Sequence, residues 1–154
     1  MATFKVRVEG LRELDAALGQ LPKAVAKGVL RRVGIKALKP FDEAWRRKAP
    51  RDSGDLAESG GVGTKLTRRQ ARLARASARA GGKDFVEIYA GPNNAAAVPQ
   101  EFGTITQSAQ PFVRPAWDAT HMQVLDGIKR DLGAEIDKTA KRAARRAAKR
   151  AAGG

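Results

Sequence analysis

The side chains best equipped for chemistry in this sequence are cations, and their spacing follows a rule. Lys138, Lys141, Arg142, Arg145, Arg146, Lys149 and Arg150 succeed one another at steps of 3, 1, 3, 1, 3 and 1. At about 100° per residue this series covers roughly half the circumference of a helix. The other half is Ala140, Ala143, Ala144, Ala147, Ala148 and Ala151, and alanine has the highest intrinsic helix propensity. Arg68, Arg69, Arg72 and Arg75 form a second basic cluster. Guanidinium and ammonium groups at this density bind rather than react: their partners are phosphate oxygens or the carboxylates of an acidic surface. Both clusters are therefore candidates for contact with DNA or with an acidic protein. A solvated charged face is the competing reading of each.

Covalent chemistry finds little support. The single histidine, His121, has Val124 and Leu125 at the helical positions where a second metal ligand would stand. Ser53, Ser59, Ser77 and Ser108 lie in no nucleophile-elbow pattern. The carboxylate pairs Asp42–Glu43 and Glu135–Asp137 are adjacent or two apart, spacings that do not share a helix face. The glycine pairs at 60–61 and 81–82 lack the Lys-Ser/Thr ending of a phosphate loop. Cysteine is absent, which excludes disulfides and thiolate sites. The expectation is a protein that is not an enzyme and takes no cofactor or metal.

Charge is distributed unevenly along the 154 residues, which carry 30 basic and 16 acidic groups for a net +14. Residues 61–83 hold 7 basic groups and no acid, residues 84–137 hold 3 basic and 8 acidic groups, and residues 138–154 hold 7 basic and none acidic. A chain built this way can associate with copies of itself, acidic part against basic part. No run approaches the roughly 20 apolar residues needed to span a bilayer, and no apolar signal segment follows Met1, so no membrane partner is expected.

The elements that must carry these groups read as follows. Phe4, Val6 and Val8 alternate with charged residues and predict a strand over 3–9. Leu11, Leu14 and Leu18 predict a short amphipathic helix. Pro22 suits the first turn of a second helix, whose stripe is Val25, Val29, Val33 and Leu38, continued by Phe41 and Trp45. Pro40 predicts a break near Lys39, and Ala49-Pro50 predicts the end. Short strands are expected over 62–66 and 84–90, a weakly anchored helix over 67–79, and a loop over 99–115. A helix follows from Ala116 to about Ala152, with Trp117, Val124, Leu125, Ile128, Leu132 and Ile136 as its apolar members. The expected fold is α/β in the α+β sense: a small, mostly antiparallel sheet packed by a long helix, in a domain over 1–137. A basic, Ala-rich helical tail over 138–154 is free to project.

Two motifs carry a family likeness. The first is Ala49-Pro50-Arg51-Asp52-Ser53-Gly54-Asp55-Leu56; the second is Glu101-Phe102-Gly103-Thr104 followed by Gln110-Pro111-Phe112-Val113-Arg114-Pro115-Ala116. In this order and spacing they resemble the neck, or minor tail-component, family of long-tailed bacteriophages, and Gly10-Leu11-Arg12-Glu13-Leu14 with Leu21-Pro22 resembles the family's start. The resemblance covers about 4–125. Where many relatives carry an aromatic residue and Val before the Glu, this chain has Ala95-Ala96-Ala97-Val98-Pro99-Gln100, and Pro99 argues against a helical turn there.

The resemblance implies a structural virion protein at the head–tail junction, made in the bacterial host cytoplasm. It would form a hexameric or dodecameric ring of identical subunits between the portal or connector and the tail-tube or tail-terminator proteins, leaving a channel for DNA. Glu101, Phe102, Gly103, Thr104, Phe112 and Arg114 are the candidate assembly residues. Glu101 has two roles open to it, capping a nearby helix or pairing with a neighbour's Arg, and Phe112 is an anchor either within the subunit or between subunits. The alternative function is a basic DNA-binding accessory protein, although no helix-turn-helix or zinc pattern is present.

Overall fold

The computed structural model describes residues 11–52, 54–68, 70–72 and 86–153. Among the described residues the helices that we number are α1 (Leu11–Gly19), α2 (Lys23–Ala37), α3 (Lys39–Lys48), α4 (Asp55–Glu58), α5 (Ala97–Phe102) and α6 (Val113–Ala152). Two short strands, β1 (Gly61–Gly63) and β2 (Tyr89–Gly91), pair antiparallel, with Gly61 opposite Gly91, Val62 opposite Ala90 and Gly63 opposite Tyr89.

Prolines punctuate the helices as their missing N–H requires. Pro22 is the N-cap of α2, and its carbonyl accepts the Val25 and Ala26 amides at 2.9 Å each. At Leu38 the backbone stays right-handed (φ −82°, ψ −6°), but α2 ends there and α3 begins with Pro40 in its first turn. α3 stops at Lys48, ahead of Pro50, as expected from the steric bias on a residue preceding proline. Gly54, at φ +80°, turns the chain into α4.

α6 is the spine. It has 40 residues and is about 60 Å long at the standard helical rise. Its first half packs on α3 and its middle on α2. One core cluster gathers Phe41, Trp45, Ala49, Leu56, Phe112, Ala116 and Val124. The other holds Val29, Val33, Leu132 and Ile136, with Leu14 and Leu18 of α1 against it. Ile128 touches both clusters. Where the helices cross, Gly127 faces Ala37, two small residues that let the backbones approach. The apolar stripe of α6 follows the expected one at Val124, Leu132 and Ile136, with Ile128 packed against both clusters; Trp117 departs from it, 43 % exposed with its ring edge-on to Phe41 at 5.4 Å, while Ala116 and Thr120 are buried.

The α+β expectation, with an antiparallel sheet and a long C-terminal helix, holds in outline. However, the chain is mostly helical, and the sheet among the described residues is two three-residue strands rather than a layer. The strand expected over 3–9 lies outside the described residues, as do Asp84 and Phe85 of the 84–90 strand, of which only Tyr89 and Ala90 pair. Expected strand 62–66 is realised as Gly61–Gly63. The loop expected over 99–115 is corrected at both ends. α5 contains Pro99, and α6 begins at Val113 with Pro115 in its first turn. Both prolines occupy first-turn positions, where the lost N–H has no intrahelical acceptor, so neither opposes its helix. Of the segment over 67–79, residues 68 and 70–72 are helical. Thr67 and Gln70 cap that turn reciprocally: the Gln70 amide donates to Thr67 Oγ1 at 3.4 Å, and the Thr67 amide donates to Gln70 Oε1 at 3.1 Å.

Candidate functional site

Helix α6 begins with no capping side chain of its own. Four N-terminal amides of a helix lack intrahelical acceptors, and a buried start must find them elsewhere. Glu101, at the end of α5, supplies them. Its Oε2 accepts the Phe112 and Val113 amides at 2.7 and 2.9 Å, and its Oε1 accepts the Arg114 amide at 3.1 Å. Arg114 returns over the same carboxylate, with Nε donating to Oε1 at 2.8 Å and Nη2 to the Glu101 carbonyl at 3.0 Å. Burial opposes ionisation of Glu101, which is only 4 % exposed. The Phe112 amide, the Arg114 guanidinium and the Val113 and Arg114 amides outweigh it and hold the carboxyl at a pKa of about 2. The positive end of the helix dipole acts in the same direction.

This arrangement is prepared by the residues between. Gly103 ends α5 at φ +76°, and a Cβ there would stand 2.8 Å from the Ala109 amide nitrogen, so the turn requires glycine. The Thr104 amide donates to the Gln107 carbonyl at 2.8 Å, and the Gln107 amide donates back to Thr104 Oγ1 at 3.0 Å, closing a tight loop. Ile105 at its tip is fully exposed. The Gln110 amide then ties the loop to the Gln100 carbonyl at 2.7 Å. Phe112 is fully buried, its ring 6.3 Å from that of Trp45.

The six candidate assembly residues thus divide. Glu101 and Phe112 occupy the internal roles: one caps α6 of its own chain, the other fills its own core. Gly103 shapes the turn. Phe102 (64 % exposed), Thr104 and the outer part of Arg114 face outward, and the Arg114 guanidinium lies 4.8 Å above the Phe102 ring. With Val98 and Ile105 they leave an exposed apolar edge on this end of the molecule.

A second hub has no counterpart in the sequence reading. Asp42 accepts the Trp45 indole N–H at 3.0 Å through one oxygen and Arg46 Nε at 2.9 Å through the other. Arg46 continues to the carbonyls of Ala57, at 2.5 Å, and Gly60, so one side chain fastens α3 to α4 and to the start of β1. Gly60 itself packs directly on Gly91: a Cβ at residue 60 would lie 1.9 Å from the Gly91 carbonyl oxygen. The sequence signal available was Asp42, Trp45 and Arg46 at i, i+3 and i+4 on one helix face.

The basic residues separate from this core. Arg68 and Arg72 are exposed; Arg69 and Arg75 lie outside the described residues. Lys138, Lys141, Arg142, Arg145, Arg146, Lys149 and Arg150 are all exposed, and every residue from 140 to 153 is exposed on a helix that continues unbroken from the body. Among the described residues only Lys138 of these seven has an ion pair, 3.8 Å from Glu135. Arg142, Arg146 and Arg150 line one wall of a groove of about 430 Å³ whose other wall includes Leu21, Pro22 and Val25. The acidic middle of the chain spends several of its carboxylates internally: Asp131 pairs with Lys36 at 3.0 Å and Arg130 at 3.1 Å, and Glu135 with Arg32 at 3.1 Å. These contacts lower the Asp131 pKa, Lys36 first and Arg130 second.

No described helix is long and apolar enough to cross a membrane. No protein-family model, curated protein or solved structure matches this chain.

Proposed function

We propose that the chain is a structural subunit of the head–tail junction of a long-tailed bacteriophage or a particle derived from one, assembling as a six- or twelve-membered ring between connector and tail tube in the virion. The observation that supports this reading is the convergence of the two motifs behind the family resemblance. Ala49 and Leu56 of the first motif and Phe112 and Ala116 of the second, far apart in sequence, are buried in one cluster around Trp45. Glu101 of the second motif closes the unit by capping the helix that carries Phe112. The motifs are therefore one structural module, and their co-occurrence has a physical basis. The outward-facing Phe102, Ile105 and Val98 provide an apolar edge of the kind that subunits bury on assembly.

Sedimentation of the purified chain, alone and mixed with connector and tail-tube proteins of a long-tailed particle from the same source, tests the reading. A ring, or a monomer that associates only with those partners, is expected. A monomer or dimer that joins neither partner and binds DNA tightly would replace the proposal with a DNA-binding accessory role, for which the exposed basic helix is the specific observation.

A further inference from the structure

We infer that one copy of this chain docks on the next by seating the first half of its α6 in the groove between the end of α6 and the start of α2 of its neighbour. The inference rests on the assembly reading above and names the two surfaces that meet. The groove, about 430 Å³, has Arg142, Arg146 and Arg150 on one wall and Leu21, Pro22 and Val25 on the other. Ala143 and Ala147 also line it, small enough to leave room for an incoming side chain. Among the described residues none of those three arginines has an ion pair, whereas Arg32, which lines the same groove, is held by Glu135 at 3.1 Å. Unpaired cations opposite an apolar wall fit a surface that carries carboxylates beside an apolar side chain.

The chain carries such a surface. Asp118, Met122 and Asp126 are exposed and stand at i, i+4 and i+8 on α6, so an apolar side chain lies between two carboxylates. Met122 is 55 % exposed and Trp117 beside it 43 %. Neither Asp118 nor Asp126 has an ion pair among the described residues, whereas Glu101, Asp131 and Glu135 are engaged within their own subunit. Of the bordering cations, Arg114 is held by Glu101 and Arg130 by Asp131, and Lys129 is half-buried. The spacing matches the groove: Asp118 to Asp126 and Arg142 to Arg150 are each eight residues, about 12 Å of helix. Both carboxylates can therefore reach arginines while Met122 enters against Pro22 and Val25.

The two surfaces are distinct. Their centres, Met122 and Arg146, are separated by about 36 Å along α6 and about 120° around it. Two α6 helices laid side by side cannot satisfy both at once, so the contact is head-to-tail, the kind that closes into a ring or runs on as a filament. A duplex is the poorer occupant, because the wall of Leu21, Pro22 and Val25 offers nothing to phosphates.

The test is a charge swap read by sedimentation of the full chain, alone and with connector and tail-tube proteins. Asp118→Arg with Asp126→Arg, and separately Arg142→Glu with Arg150→Glu, should each weaken self-association at least about tenfold, because like charges then face each other. The chain carrying all four substitutions should assemble again. Melting temperatures should not change, since all four side chains are exposed. Wild-type assembly by either pair, or no recovery in the fourfold variant, would overturn the inference. Loss in the Arg142/Arg150 pair alone would give the groove to DNA or to an acidic surface of another protein. If wild type forms rings while the swap fails, only this contact falls. A wild-type chain that forms no oligomer alone or with those partners would remove both the contact and the assembly reading.

Discussion

Arg114 holds Glu101 at both ends: Nε donates to the carboxylate at 2.8 Å, and Nη2 donates to the main-chain carbonyl of the same residue at 3.0 Å. The pair joins the last turn of α5 to the first turn of α6, so the loop from Gly103 to Pro111 is closed at its base. The Arg114 side chain remains half exposed over Phe102, which places a tightly held internal bond directly beneath the exposed apolar edge. Disturbing the cap therefore moves the edge as well.

Glu101→Ala removes the acceptor for three amides and a guanidinium and should destabilise the chain by about 2–4 kcal/mol. The same group sets a pH dependence. Its pKa falls from 4.5 in the free side chain to about 2 in the fold. Its contribution is complete above about 4.5, declines as pH falls through that interval and is gone once pH passes below about 2. Denaturant melts of wild type and Glu101→Gln between neutral and acid pH should converge at the acid end.

Phe112 is fully buried against Trp45, so Phe112→Ala should cost roughly 3–5 kcal/mol and lower the melting temperature of the isolated subunit. An unchanged melting temperature with lost assembly would instead place Phe112 between subunits.

Gly60→Ala drives a methyl group into the Gly91 carbonyl, backbone against backbone, with no side chain able to yield. A loss of about 1–3 kcal/mol is expected, with faster hydrogen exchange of the β1 and β2 amides. Gly127→Ala is the contrasting substitution: its Cβ would meet Ala37 at 3.7 Å, ordinary contact, and the melting temperature should hardly move.

Truncation after Asp137 should leave the melting temperature nearly unchanged, since residues 140–153 are exposed throughout and the buried seam of α6 ends at Ile136. If the chain acts in the head–tail junction as proposed, particle yield and infectivity with the truncated chain should fall. Full infectivity would return the basic helix to a solvated role.

What the sequence determined by itself was local. Prolines at 22, 40 and 50 mark helix limits because a missing N–H and a fixed φ act within one turn. Val29 and Val33, and Leu132 and Ile136, are recognisable as core because each pair repeats at one helical turn. The basic helix is legible for the same reason. What only the tertiary structure decided lies at longer range. Pro99 and Pro115 read as loop residues until first-turn positions are known, and Trp45 and Trp117 look equivalent until α6 rotates one of them outward. Glu101 acquires its role from amides eleven to thirteen residues away, which only the turn at Gly103 brings to its carboxylate. Arg46 acquires its role from carbonyls eleven and fourteen residues away. Helical periodicity says which residues share a face; which faces meet, and which unpaired backbone groups come within reach of a side chain, is set only when the helices pack.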